Sequence, residues 1–302
     1  MSDLVTTHAL DPDRTAAQPG PADASSPAVR RRRVSVALWV WGSAATLLLL
    51  TAVVGPWLVG DTETSHLDSR LQGIGEGGHL LGTDGQGRDV FERVVAGARP
   101  SLVAGLTPVL VAGLIGTALG IAAGLARRTV HALVMRGLDV LYAFPAILLA
   151  IAVSAALGSG VSNAVIALSI VLVPPVARVA EAETLRLTAM NFMDSALASG
   201  AGRATIALRQ VMPNLLPVMV VYCTTLAGMA VVFAAGLSFL GLGVAPPNAE
   251  WGLMVGDLRN YVFAEPALSL VPAAAILLAS ITFNALGDAL RDHLDVRKEV
   301  LA

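Results

Sequence analysis

The stretch MNFMDSALASGAGRATIALRQVMPNLLP, residues 190–217, is the most polar long interruption in the second half of a very apolar chain. Its pattern predicts two short helical pieces separated by glycines. The first covers 194–198, and the second covers 204–212 and ends at Pro213, which has no N–H to continue a helix. The simplest alternative is an ordinary connection between two spans. The stretch is longer than such a connection requires, so we interpret it as a structured segment.

The rest of the composition is typical of a membrane protein. Hydrophobic residues make up 55% of the chain and charged residues only 14%, whereas soluble domains carry about 25% charged residues. The net charge of −2 argues against a nucleic-acid partner. A single cysteine, Cys223, excludes an internal disulfide and a multi-cysteine metal site. The only lysine is Lys298, so the chain has no Walker A loop. We therefore predict no catalytic, cofactor-binding or metal-binding residues in this chain.

Six apolar runs divide the chain. Residues 1–33 are rich in Pro, Ser, Thr, Ala and Asp and predict a disordered tail. A six-span domain is predicted over 34–297, followed by a short tail over 298–302. Pro174 and Pro175 are expected to kink or end the fourth span, and a separate water-facing helix is expected after them. The predicted spans are 34–59, 101–126, 138–157, 161–180, 215–240 and 267–286.

The basic residues fix the predicted orientation. An even number of spans leaves both termini on one side, and 15 of the 20 basic residues then fall on that side. By the positive-inside rule, both termini and residues 181–213 are cytoplasmic. Asp139, at the start of the predicted third span, is read as a surface residue that suits a helix N-terminus. The alternative for Asp139 is an intramembrane ion relay.

Two glycine patterns stand out. Gly116, Gly120 and Gly124 are spaced by four, so they lie on one face of the second span and allow a neighbouring helix to approach closely. The outer segment LGTDGQGRDVFERVVAGARPSL, residues 81–102, begins with a glycine-rich turn. Its acidic residues argue against a phosphate cradle and favour a structured turn that leads into an interfacial helix, with Asp89 capping that helix. The turn motif comprises Asp84, Gly87, Arg88 and Asp89.

The opening stretch resembles the EAA loop of ABC-importer permeases. Asp194, Ser195 and Ala196 stand for the E-A-A triplet, with Asp replacing Glu and Ser replacing the first Ala. The later glycine, hydrophobic residue and proline of that pattern correspond to Gly200, Ile206 and Pro213. Four further stretches resemble the C-type permease of dipeptide, oligopeptide and nickel importers, so the resemblance runs from about residue 34 to 297. They are LGTDGQGRD (81–89), DVLYAFPAILLAIA (139–152), SFLGLGVAPPNAEWG (238–252) and NALGDALRD (284–292).

The resemblance implies an all-α, polytopic protein with six transmembrane helices and the type I ABC-importer permease fold, in the bacterial plasma (inner) membrane. It implies a second homologous permease, two cytoplasmic ABC ATPase subunits that bind ATP-Mg, and an extracytoplasmic solute-binding protein that docks on residues 60–98 and 241–266. Residues 194–200 would form a coupling helix that inserts into a groove of one ATPase. Surrounding membrane lipid is the remaining partner.

Peptide import is the function that this resemblance favours, with nickel or another small solute as the alternative. A secondary transporter driven by an ion gradient belongs to a different class and is less consistent with the sequence. Such proteins carry charged or broken helices near the bilayer midplane and often contain an internal repeat. The centres of the predicted spans are nearly free of ionisable residues, and no clear repeat is present. A scaffold that transports nothing would leave the structured segment at 190–217 unexplained.

Overall fold

The computed structural model describes residues 36–193 and 199–294. The predicted tails at 1–33 and 298–302 lie outside these ranges, as do Asp194, Ser195 and Ala196. The part of the chain that is described contains helices and loops, with one isolated β-bridge between Thr83 and Asp89. The longer helices are α1 (Val36–Leu58), α2 (Val90–Gly124), α3 (Arg128–Tyr142), α4 (Ala146–Leu157) and α5 (Val161–Thr188). They are followed by α6 (Arg203–Ile206), α7 (Met212–Phe239), α8 (Trp251–Leu258) and α9 (Pro266–Leu294).

The described residues agree with a polytopic all-α membrane protein. Five helical runs are long and apolar enough to cross a bilayer, and the bent pair α3–α4 makes a sixth crossing if it counts as one span. The second and sixth runs are longer than predicted. Helix α2 already begins at Val90, so the expected interfacial helix and the second span are one helix of 35 residues. Helix α9 continues to Leu294, into the polar stretch after the sixth predicted span.

The glycine strip of α2 lies at its contact with α5. A Cβ at Gly116 would lie 2.8 Å from Cβ of Val176, and one at Gly124 would lie 2.7 Å from Cγ2 of Thr184. At Gly120 it would lie 2.5 Å from the carbonyl oxygen of Ala177. These distances are shorter than van der Waals contact, and at Gly120 the obstacle is backbone. The two helices therefore pack at a separation that only glycine allows at this face.

Replacing Gly120 by alanine is expected to lower the free energy of unfolding by about 1–3 kcal/mol, because the added methyl group overpacks a contact with backbone atoms. The matched control is Gly236→Ala in α7, where a Cβ would have no neighbour within 4 Å. Unfolding of the purified chain in mixed dodecyl maltoside–SDS micelles measures both variants. Equal stability of the two variants would contradict the close approach of α2 and α5.

The predicted third span is not a single straight helix. Helices α3 and α4 are bent by 87° at Ala143–Pro145. Pro145 has no N–H and disfavours a helical conformation at the residue before it, which accounts for the break. With about 1.5 Å of rise per residue, neither half reaches the roughly 30 Å of a hydrocarbon core. The expectation of one span over 138–157 is therefore corrected to two short helices.

This break also corrects the interpretation of Asp139. The residue lies near the C-terminus of α3, where a negative charge opposes the helix dipole. It does not occupy the helix N-terminus that the sequence suggested. Its carboxylate instead forms an ion pair with Arg178 of α5.

The fourth span is longer than predicted. Helix α5 continues through Pro174 and Pro175 to Thr188, so the separate helix expected after the prolines is absent from the described residues. Membrane helices tolerate proline where neighbouring helices cover the affected turn. Pro174 is buried, and α5 packs along α2 and α7. Packing therefore overrides the local tendency of proline to end the helix.

The expectation that Pro213 ends a helix is wrong. The helical run is continuous from Arg203 to Phe239, and Pro213 lies in the first turn of α7. Just before it, residues Ala207–Val211 form π-helical turns, in which the N–H of Met212 donates to the carbonyl of Ala207. The side chain of Asn214 donates to the carbonyl of Gln210 at 2.7 Å. The wider turn and this side-chain bond accommodate the missing proline N–H.

The helices bring their connecting segments together at two ends. At the first, which we call the loop end, residues 60–89, 158–160 and 240–258 meet. The N–H of Gly160 donates there to the carbonyl of Leu242 at 3.4 Å. At the other end, which we call the helical end, His131 lies 3.7 Å from the carboxylate of Glu181. A groove there separates the end of α2 from residues 203–212.

Candidate functional site

The outer turn motif forms a buried ionic cluster at the loop end. Asp84 is 4% exposed and Arg88 is 3% exposed. One carboxylate oxygen of Asp84 accepts hydrogen bonds from the backbone N–H groups of Gln86 and Arg88, at 2.8 and 3.0 Å. The other accepts from Nε of Arg88 at 2.7 Å. Asp84 therefore occupies amide donors that a phosphate cradle would need.

The other two residues of the motif shape the same turn. Gly87 has φ +78°, and a Cβ there would overlap the backbone of His66, so only glycine fits. Asp89 is the N-cap of α2 and accepts from the N–H of Glu92 at 3.0 Å. Its second oxygen lies 2.7 Å from Nδ1 of His79. The turn is thus fixed by one glycine and two carboxylates.

Arg93 joins this cluster to the second outer loop. Its side chain is almost completely buried, and its Nε lies 3.6 Å from Oδ2 of Asp84. Its guanidinium donates to the carbonyls of Thr62 at 2.6 Å, Pro247 at 3.3 Å and Asn248 at 3.4 Å. The buried guanidinium of Arg93 therefore binds three separate segments of the chain.

Asp257 of α8 completes the cluster at its edge, 3.7 Å from Arg88. Burial raises the pKa of this carboxyl, and the nearby Arg88 charge opposes that shift. Two arginines and two carboxylates thus balance in charge. We call these residues the outer lock: Asp84, Arg88, Arg93 and Asp257.

A second buried acid holds α8 against α2. Glu250 is 0% exposed and caps α8 by accepting from the N–H groups of Gly252 and Leu253, at 3.0 and 2.8 Å. The hydroxyl of Ser101 in α2 donates to it at 3.0 Å and accepts from the N–H of Trp251 at 2.9 Å. Burial raises the pKa of Glu250, against the effect of these hydrogen bonds.

Sequence reasoning missed Arg93, Glu250 and Asp257. The stretch around Glu250 stood out only through its resemblance to importer permeases, and Glu is not among the preferred N-cap residues. Arg93 is the fourth residue of α2, and the sequence counts it only among the basic residues of the outer side. The contacts of Arg93 with the carbonyls of Pro247 and Asn248 join residues more than 150 positions apart, which a local pattern does not reveal.

The segment at the helical end is described from Ser199 onwards. Gly200 has φ +78°, is exposed and has open space around it. Ile206 is 4% exposed and packs into the main core. Pro213 is exposed in the first turn of α7. The structure therefore brings Gly200 and Ile206 to the start of one continuous helical run, while the roles assigned to Asp194, Ser195 and Ala196 stay predictions.

Known proteins resemble this chain over most of its length. Residues 116–300 match the family described as "Binding-protein-dependent transport system inner membrane component". The glutathione transport system permease protein GsiD of Pectobacterium atrosepticum is 41% identical over 266 residues, which cover 88% of this chain and 87% of that protein. GsiD of Escherichia coli O6:K15:H31 is 42% identical over 250 residues, covering 82% of each chain.

The fold also resembles a solved structure. A chain of the methionine ABC transporter MetNI, solved in inward-facing conformations, superposes with a TM-score of 0.55 at 18% identity. The match covers 67% of this chain and 96% of that chain. At this identity the likeness concerns the fold alone, and it agrees with the helical architecture described above.

Proposed function

The chain belongs to the family of binding-protein-dependent transport system inner membrane components, the permeases of ABC importers, and on that premise we propose that it carries small peptides into the cytoplasm. Two relatives, 41% and 42% identical to this chain, are glutathione transport permeases. Their similarity supports a peptide substrate. Glutathione is a tripeptide, so the proposed cargo is a short peptide that carries both an ammonium and carboxylate groups.

The proposed assembly contains a second homologous permease, two cytoplasmic ABC ATPases that use ATP-Mg, and an extracytoplasmic solute-binding protein. The loop end would face the binding protein, and the helical end would face the ATPases, with both termini in the cytoplasm. The excess of basic residues on the terminal side supports this orientation. So does the grouping of the outer segments 60–89 and 240–258 at one end.

Within that assembly, residues 194–200 would form the coupling helix. ATP binding would close the ATPase pair and push this helix, and hydrolysis would release it. Gly200 would turn the chain out of the docked helix. Because the run from Arg203 to Phe239 is helical throughout and is anchored by the buried Ile206, it can carry such a displacement directly into the membrane.

Transport by the purified complex tests the proposal. The tagged chain is isolated from its host membrane with its bound subunits, reconstituted into proteoliposomes and supplied with its binding protein. We expect ATP-dependent uptake of labelled glutathione or trialanine, and no uptake with a non-hydrolysable ATP analogue. Uptake of Ni²⁺ in place of peptide would identify the alternative cargo. Uptake driven by an ion gradient without ATP would contradict the importer mechanism.

A further inference from the structure

An apolar cleft of about 350 Å³ opens among α3, α4, α5 and α7. Four aromatic side chains stand among its otherwise aliphatic walls, and we call it the aromatic cleft. A volume of this size lies within the range that holds a small ligand. Tyr142 and Phe144 are 58% and 57% exposed, so the cleft is open on the surface of the single chain. Its walls include Tyr142, Phe144, Pro175, Tyr222, Met229 and Phe233.

One end of the cleft carries an ion pair. Val171 and Pro175 line the cleft from α5, and Arg178 follows on the same helix face at the next three-residue step. The Arg178 guanidinium lies 5.4 Å from the centre of the Tyr142 ring and pairs with the carboxylate of Asp139. Their side chains are 44% and 48% exposed, so both charges are accessible at this mouth.

Neither lipid contact nor stability explains these polar groups well. Charged side chains in a membrane segment normally face a bundle interior or a water-filled path. An ion pair this exposed adds little to stability. Within the described residues, the hydroxyls of Tyr142 and Tyr222 take part in no hydrogen bond, and both residues line the cleft. The cleft thus offers two phenol hydroxyls and one charge of each sign to a bound ligand.

We propose that the aromatic cleft holds the transported peptide on its way to the cytoplasm, with Arg178 binding a carboxylate and Asp139 binding the ammonium group. The inference rests on the proposed peptide-import function. The apolar walls would accept side chains of different shapes, while the ion pair would recognise the charges that every free peptide carries. Because the resident pair is weak, a peptide can replace each partner in turn. The pair would then close again behind it.

The test uses the complete reconstituted complex with trialanine as the probe. Arg178→Gln and Asp139→Asn are each expected to reduce uptake about threefold, the effect of losing a partly exposed charge contact. ATP hydrolysis stimulated by the loaded binding protein should persist, because coupling is untouched. The control is Arg136→Gln, which removes an exposed charge from the same helix, α3, and should leave uptake at the wild-type level.

The exchanged pair, Asp139→Arg with Arg178→Asp, separates recognition from structure. If the pair only holds α3 to α5, the exchange restores uptake. The proposal predicts that uptake stays low while thermal stability equals that of the wild type, because the charges now face the wrong ends of the peptide. Restored uptake, or wild-type uptake in both single variants, overturns the proposal and leaves peptide import intact. A wild-type complex that imports no peptide overturns both.

Discussion

Replacing Asp84 by alanine is expected to lower the free energy of unfolding by about 3–5 kcal/mol, the usual result of removing one partner from a buried ion pair. The change leaves the guanidinium groups of Arg88 and Arg93 buried, and their remaining ion-pair contact is the one between Arg88 and Asp257 at 3.7 Å. It also removes the acceptor for two backbone N–H groups. Unfolding of the purified chain in mixed dodecyl maltoside–SDS micelles measures the loss.

Two further variants make this result specific. Asp68→Ala removes an exposed carboxylate from the same outer segment and should leave stability unchanged. Asp84→Asn keeps an oxygen that can accept from the backbone N–H groups but removes the charge. Its loss of unfolding free energy should therefore lie between those of Asp84→Ala and Asp68→Ala. If Asp84→Ala proved as stable as Asp68→Ala, the outer lock would not hold the two loops together.

The apolar runs predicted most of the fold. Six runs and their order follow from hydropathy, because each span must satisfy its backbone hydrogen bonds internally and therefore forms a helix. Three of the corrections concern proline. Pro145 breaks a helix where Pro174 and Pro175 do not, and Pro213 lies inside the helical run that it was expected to end. Neighbouring helices cover the turn at Pro174, and a π-helical turn accommodates Pro213. A local pattern contains neither piece of information.

The residues of the candidate site also divide into those that the sequence predicted and those that it did not. The positions of the α2 glycines follow from their spacing of four, since spacing alone fixes a helix face. The outer lock depends on contacts between residues more than 150 positions apart, such as Arg93 with Asn248. The pairing of Asp139 with Arg178 joins two helices at residues 39 positions apart, and the sequence does not show that these residues are neighbours. Local geometry was therefore predictable, whereas charge partners across the fold were not.

Replacing Gly200 by valine is expected to reduce ATP-dependent peptide uptake by the reconstituted complex about tenfold. At φ +78° a β-branched residue is strained by about 1–2 kcal/mol, and about 1.4 kcal/mol corresponds to a tenfold change. A Cβ at this position would have no neighbour within 4 Å, so the strain acts on the backbone turn itself. That turn directly follows residues 194–198, the proposed contact with the ATPase.

Gly202→Val is the matched control, because the surroundings of Gly202 are equally open but its φ of −71° with ψ of 158° suits valine. The two variants add the same side chain two residues apart and differ in backbone strain. Both should assemble with the ATPases, since neither position is buried. Uptake near the wild-type level is expected for Gly202→Val. If Gly200→Val transports equally well, the positive-φ turn has no part in coupling, and the displacement must enter α7 by another route.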